Sequence, residues 1–365
     1  MSDTSAPATA DALALPASTV PDPRTAPALR WGVVSPGGIA RTFTRALHGG
    51  TASRVVAVCS RSLDRAEAFA AEHADAEHPI TAYEDLGAML AAGGLDAVYI
   101  ASPHAQHHAL TRPVLEAQVP VLVEKAFTLD AAQAQDLLDL AAQRGVLCAE
   151  AMWTRFLPQM DVLRRTIDAG LIGDVVALSA DHGQAFPLDP SHRLYAPELG
   201  GGALLDLGVY PISFAQAVLG DLSDLAVQGS LTATGVDAEL AVIASGARGG
   251  RAVLHSTLSS RTPTQAWIGG TEGSITLDGA FYRPTTLTVR RLDGATASFT
   301  HPGDPELAMA YEAAEVARCV ADGLREAPSM PWSATLSVMR TMDAIRAELG
   351  VVYPGEGLGD GEGAR

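Results

Sequence analysis

Cysteine, basic charge and long apolar runs are all scarce in this chain. Of 365 residues only Cys59, Cys148 and Cys319 are cysteine. Their number is odd, they lie far apart and no CxxC pair occurs. A disulfide framework or thiolate metal site is therefore not expected, and the three read as buried free thiols of a reducing, cytoplasmic compartment. Lys and Arg total 25 against 42 Asp and Glu, a formal net charge of −17. That balance argues against nucleic acid and against an anionic membrane surface, since both recruit clustered cations. No uninterrupted apolar run approaches the roughly 18 residues that span a bilayer. HExxH and internal repeats are missing too. His104, His107 and His108 are spaced to share a ligand on a helix, but no carboxylate or thiolate completes a set, so no metal is expected.

The length points to about two domains. Residues 1–28, rich in Ala, Pro, Thr and Ser, read as a disordered tail, and residues 353–365 as a flexible one. Residues 29–152 alternate short apolar runs with helical stretches. Strands are expected at 31–34, 54–59, 96–101, 120–124 and 146–149, with helices at 39–47, 64–73, 105–117 and 130–144. Asp130 and Gln133 form a capping pair, and Gly145 stops the last helix. Such alternation means βαβ units and a parallel sheet. From 153 to 352 a helix at 157–169 is followed by eight strand patterns between 175 and 300, several joined by Gly-containing turns, and by closing helices at 306–323 and 333–349. This half reads as α+β with an open, mostly antiparallel sheet.

The first strand runs into Ser35-Pro36-Gly37-Gly38-Ile39-Ala40. With Gly37 as the second glycine of G-x-G-x-x-G/A, Ser35 takes the first place and Ala40 the third. Amides at the helix start would face a pyrophosphate; an ordinary tight βα turn is the plain alternative. The second strand ends in Cys59-Ser60-Arg61-Ser62, with Arg65 following. A hydroxyl and guanidinium groups, instead of an acid, suit a 2′-phosphate and favour NADP over NAD.

Two further stretches carry chemistry. Val121-Leu122-Val123-Glu124-Lys125 is an apolar run ending in an acid and a lysine. Gly200 to Tyr210 is a glycine run feeding a helix, with Asp206 and Tyr210 four residues apart and so on one face. A lysine near Tyr210 would favour the phenolate and lower its pKa from about 10. Lys125, Asp206 and Tyr210 then form a site for the proton of an alcohol. A surface lysine and a core tyrosine are the bland alternative. His182, Phe186 and Arg193 stand where the second half could wall a substrate pocket. Tyr311 is a candidate secondary cofactor contact.

These residues resemble, in order, the motifs of the Gfo/Idh/MocA oxidoreductases: Ser35 to Ala40, Glu124-Lys125, Glu150-Ala151-Met152-Trp153-Thr154-Arg155-Phe156, and Gly200 to Tyr210. The chain is most similar to the branch with dimeric dihydrodiol dehydrogenases, glucose–fructose oxidoreductase and NADP-dependent xylose dehydrogenases. The resemblance implies a doubly wound Rossmann domain followed by an α/β domain whose open sheet often makes a dimer interface, hence a homodimer or homotetramer. It implies Tyr210 as acid/base, Lys125 as its electrostatic partner and Asp206 as an orienting group. It also places Ser102, Pro103, His107, Glu124, Trp153 and Arg155 beside the cofactor. The family's Glu-Lys-Pro motif departs here to Ala126, and its Asp-x-x-x-His motif to Tyr210. The expected activity is NAD(P)-dependent hydride transfer to or from a secondary alcohol or hemiacetal carbon of a sugar, polyol or diol. A redox-neutral enzyme with tightly held cofactor, or a nucleotide sensor without turnover, remain alternatives.

Overall fold

The computed structural model describes residues 13–355. The first half forms a six-stranded sheet from β1 (Arg30–Val34), β2 (Arg54–Cys59), β3 (Thr81–Tyr83), β4 (Ala97–Ile100), β5 (Val121–Glu124) and β6 (Cys148–Ala151). Every pairing is parallel and the order is β3-β2-β1-β4-β5-β6. β4, β5 and β6 are buried at every position, as strands covered on both faces must be. The order reverses between β1 and β4, which opens a crevice at their carboxyl ends, where open α/β sheets bind ligands.

The expected strands and helices of this half are present, and two elements join them. Strand β3 and the helix Leu86–Ala92 gave no sequence signal, because a three-residue, half-exposed strand carries no period. The Asp130 cap forms as expected: its Oδ1 accepts the Gln133 N–H at 2.7 Å, and Gly145 ends the helix at φ 67°.

The second half forms an eight-stranded sheet: β7 (Val175–Gly183), β8 (Leu222–Leu231), β9 (Asp237–Gly246), β10 (Arg251–Thr257), β11 (Ala266–Gly270), β12 (Gly273–Leu277), β13 (Thr286–Arg291) and β14 (Thr296–Thr300). The order is β14-β13-β12-β11-β7-β10-β9-β8, antiparallel except for β7 against β10. Helices Pro158–Asp168, Val209–Leu219 and Trp332–Leu349 pack on one face. Pro197–Leu219 is long and apolar enough to cross a membrane, which the count of uninterrupted apolar runs did not register, yet 89% of its most apolar window is buried here. It is a core segment of this fold.

Part of each expected tail is ordered: residues 13–28 and 353–355 belong to the described chain. Residues 13–28 pack on the folded chain: the Thr19 N–H and hydroxyl donate to Asp161 Oδ2 at 2.7 and 3.1 Å, and Pro23 is buried. A segment without periodic pattern is held here by hydrogen bonds to the Asp161 carboxylate and from the Arg318 guanidinium. At the other end Tyr353 is buried and its hydroxyl donates to the Gly201 carbonyl at 2.6 Å. Residues 1–12 and 356–365 lie outside the described residues.

Candidate active site

A cleft of about 1070 Å³ runs along the carboxyl ends of β1, β2, β4 and β5 to the start of the helix Val209–Leu219. At one end is the Ser35–Ile39 turn. Ser35 has φ 69°, the left-handed conformation for which the fingerprint carries glycine. Its N–H donates to the Cys59 carbonyl, and the Gly37 N–H donates to Ser35 O at 2.7 Å. A Cβ added to Gly37 would meet nothing nearer than 4.0 Å, and one added to Gly38 nothing at all. The glycines keep this backbone bare for a ligand, while Ala40 packs beneath it. A bare turn opening the helix Gly38–Gly50 fits a dinucleotide pyrophosphate. Ser60, Arg61 and Arg65 line the same end, together with Glu84 and Asp85. Neither arginine makes an ion pair with a described residue, and both guanidiniums are exposed.

Ser102, Pro103 and Glu124 also line the cleft, but four expected cofactor contacts do not. His107 is fully buried, its ring set between the carbonyl oxygens of Ser102 (2.8 Å) and Ala126 (2.9 Å), so it joins the loops after β4 and β5. Arg155 turns away from the cleft into the helix Val209–Leu219, donating to Ser213 Oγ, Ser213 O and Gln216 Oε1. Trp153 does not line the cleft itself and reaches it through Tyr210 and Tyr282. Tyr311 lines a separate hollow with Phe299 and Leu307.

At the far end Lys125, Asp206 and Tyr210 meet. Lys125 Nζ donates to the Asp206 carbonyl at 2.7 Å, lies 3.8 Å from Asp206 Oδ1 and sits 4.8 Å from the centre of the Tyr210 ring. Arg193 Nη1 donates to Asp206 Oδ1 at 2.8 Å. Lys125 is the only lysine in the chain, a signal the motif reading passed over. The Lys125–Ala126 peptide is cis. Behind it the Tyr99 hydroxyl bonds Glu124 Oε1, and Glu124 Oε2 accepts the Lys125 N–H at 3.1 Å.

The substrate-side wall is aromatic. His182 stacks on Tyr282 with centroids 4.4 Å apart, and Tyr282 lies 4.6 Å from Tyr210. Gln184 bonds His182 Nε2 at 3.0 Å, and Phe186 and Arg193 complete the wall. Tyr282 and Gln184 were not singled out from the sequence, whereas His104, read there together with His107 and His108, lines the cleft. Tyr282 comes from an irregular segment without a motif. His104 bonds Gly200 O at 2.8 Å.

The glycine run is required by close packing. A Cβ on Gly202, at φ 120°, would fall 2.2 Å from Asp237 Oδ1, and one on Gly201 2.7 Å from Leu194 O.

Burial raises the Asp206 carboxyl, but the charges of Lys125 and Arg193 outweigh it and hold the group well below the usual carboxylate range. Burial, followed by the charge of Lys125, lowers His182 to about 4, so its ring is neutral. Tyr210 corrects the sequence expectation. Burial, reinforced by the Glu124 charge, raises its pKa well above the usual value. The Lys125 amine faces the ring instead of the hydroxyl, and the hydroxyl accepts a hydrogen bond from Trp153 Nε1 at 3.1 Å.

Comparison with known proteins agrees with this geometry. The model of the GFO_IDH_MocA oxidoreductase family, NAD-binding Rossmann fold, matches residues 29–152, and that of the GFO/IDH/MocA C-terminal domain matches residues 160–276. D-xylose 1-dehydrogenase (NADP(+)) of Hypocrea jecorina is 34% identical over 89% of this chain and 93% of its own. Trans-1,2-dihydrobenzene-1,2-diol dehydrogenase of Xenopus tropicalis is 33% identical over 90% and 100%. The crystal structure of a 3-ketoreductase from Actinomadura kijaniata with NADP and TDP-benzene superposes with a TM-score of 0.75 at 27% identity, covering 88% of this chain and 98% of the other.

Proposed function

The chain belongs to the GFO/IDH/MocA oxidoreductase family, and from that premise we propose an NADP-dependent enzyme of sugar, polyol or diol hydroxyls in which Tyr210 handles the substrate proton. The observation that carries this reading is one continuous cleft, with the bare Gly37 turn at one end and the Lys125–Asp206–Tyr210 cluster at the other.

A bound nicotinamide cofactor supplies or takes the hydride. The Gly37–Gly38 backbone would hold its pyrophosphate, and Arg61 with Arg65 its 2′-phosphate. The chain's own residues manage the proton. Trp153 fills a lone pair of the Tyr210 hydroxyl, which leaves the phenolic hydrogen to point at a substrate oxygen. Burial keeps that phenol protonated at neutral pH, the form that donates when a carbonyl is reduced. Taking a proton in the oxidative direction needs added positive charge, and Lys125 contributes part of it across the ring face. Asp206, charged and gripped by Arg193 and Lys125, is an acceptor for a second substrate hydroxyl. Phe186, His182 and Tyr282 offer flat faces to the C–H side of a sugar or diol ring. Neutral His182 adds no charge there.

The reading is tested by assaying aldoses, polyols and vicinal diols with NADP+, and the matching carbonyl compounds with NADPH. Turnover on at least one class is expected. NADPH binding without turnover on any of them would leave a nucleotide-binding protein.

The three cysteines are unpaired and buried, which supports a reducing, cytoplasmic setting. Trp267, Val176, Val253 and Ile243 stand exposed on the adjacent strands β11, β7, β10 and β9. Such an apolar stripe on an open sheet supports pairing with a second copy of this chain. Val253→Glu is expected to convert an oligomer to monomer in analytical ultracentrifugation, and an unaltered sedimentation coefficient contradicts this contact.

A further inference from the structure

The helix that carries Tyr210 opens with a widened turn. Over Leu204–Gly208 the backbone is π-helical, and the Val209 N–H donates to the Leu204 carbonyl five residues back. Such a turn inserts a residue and re-aims its neighbours. Its start is pinned by Asp237, whose Oδ2 accepts the Leu204 N–H at 2.6 Å.

Its end has a different cause. Pro211 lies in the first turn of the helix Val209–Leu219 and has no N–H. In the π register that hydrogen would go to the Asp206 carbonyl, and in the α register to the Leu207 carbonyl. Neither receives it. Buried carbonyls need other donors, and Asp206 O finds a cleft side chain. Asp206 O accepts Lys125 Nζ at 2.7 Å. Leu207 O takes a share of the Val209 N–H and lies beside the His182 ring, short of good hydrogen-bond geometry.

We propose that Pro211 is a positioning residue: by withholding an N–H it reserves the Asp206 carbonyl as an anchor for Lys125. The amine is thereby held by the backbone and the carboxylate of one residue, over the face of Tyr210. A proline merely tolerated in a first helical turn would act on nothing beyond its helix. The relevance of the anchor to turnover rests on the proposed roles of Lys125 and Tyr210, but the anchor itself can be measured without turnover.

Lys125 is the sole lysine, so an amine-selective acylating reagent reports on one side chain and the N-terminus, which peptide mass spectrometry separates. In Pro211→Ala the new N–H competes for these carbonyls. Lys125 labelling in the full, ligand-free chain is expected to rise about 3- to 10-fold, the weight of one hydrogen bond. Its pH profile should shift, kcat should fall, and the NADPH Kd should stay unchanged. Pro211→Ser carries the same N–H and must reproduce the result. Pro113→Ala restores an N–H inside the helix His107–Glu116 at a position that does not line the cleft, and should change none of these. Unchanged labelling rate and pH profile in both Pro211 variants overturn the proposal. Raised labelling with unaltered turnover keeps the anchor and removes Lys125 from the chemistry instead.

Discussion

Trp153 Nε1 donates to the Tyr210 hydroxyl at 3.1 Å, so the indole fixes the direction in which the phenol offers its own proton. Trp153→Phe keeps an aromatic ring beside Tyr282 and removes that donor. Loss of one hydrogen bond is worth about 0.5–1.5 kcal/mol. Steady-state kinetics should therefore show kcat down by about 2- to 10-fold, with the NADPH Kd from fluorescence titration unchanged. An unaltered kcat would mean the indole does not orient the phenol.

Arg61 and Arg65 form no ion pair with a described residue and flank the end of the cleft where Ser60 also lies. Charge-assisted bonds to a phosphate are worth about 1.5–3 kcal/mol each. Replacing both arginines by alanine is expected to weaken NADPH binding by about 10-fold or more and to leave NADH binding as it was. Equal loss for the two nucleotides would place the 2′-phosphate elsewhere.

Glu150 makes a pH-dependent prediction for the whole fold. It is buried beneath Thr335, whose hydroxyl donates to its Oε2 at 2.8 Å. Burial raises its pKa from 4.5 to about 7. The folded state therefore binds more protons than the unfolded one between these values, and this carboxylate costs stability as pH rises through that window. Below about pH 4.5 the cost vanishes, and above about pH 7 it is complete, on the order of 3 kcal/mol. Glu150→Gln should raise the Tm above pH 7 and leave it nearly unchanged near pH 4.5. The same Tm difference at both pH values would show that the carboxylate does not titrate in this window.

Much of the first half was legible, because burial on both faces gives its strands continuous apolar runs and Asp130 with Gly145 mark a helix at both ends. The glycine run was legible for a steric reason: only glycine fits against Asp237 and the 193–194 backbone. Other parts were not. Arg155 shares a motif with Trp153, but the short helical turn Trp153–Phe156 sends Trp153 to Tyr210 and Arg155 to Ser213, a divergence that spacing does not reveal. Tyr282 comes from a segment with no period. The sign of the Tyr210 shift depends on whether the amine meets the ring or the hydroxyl, which is a property of three chain segments together. The ordered residues 13–28 are held by partners remote in sequence, Asp161 for Thr19 and Arg318 for Asp22 and Thr25.

The central claim is that the Tyr210 hydroxyl passes the substrate proton, and Tyr210→Phe tests it most directly. The variant should be compared with the parent chain by single-turnover rate on the best substrate and by NADPH titration. Proton transfer by a positioned side chain contributes about 10²- to 10⁴-fold. The expected result is a rate loss in that range with the NADPH Kd unchanged within about twofold, since the Gly37 turn lies at the other end of the cleft. A rate within a few-fold of the parent, with binding intact, would contradict the assignment.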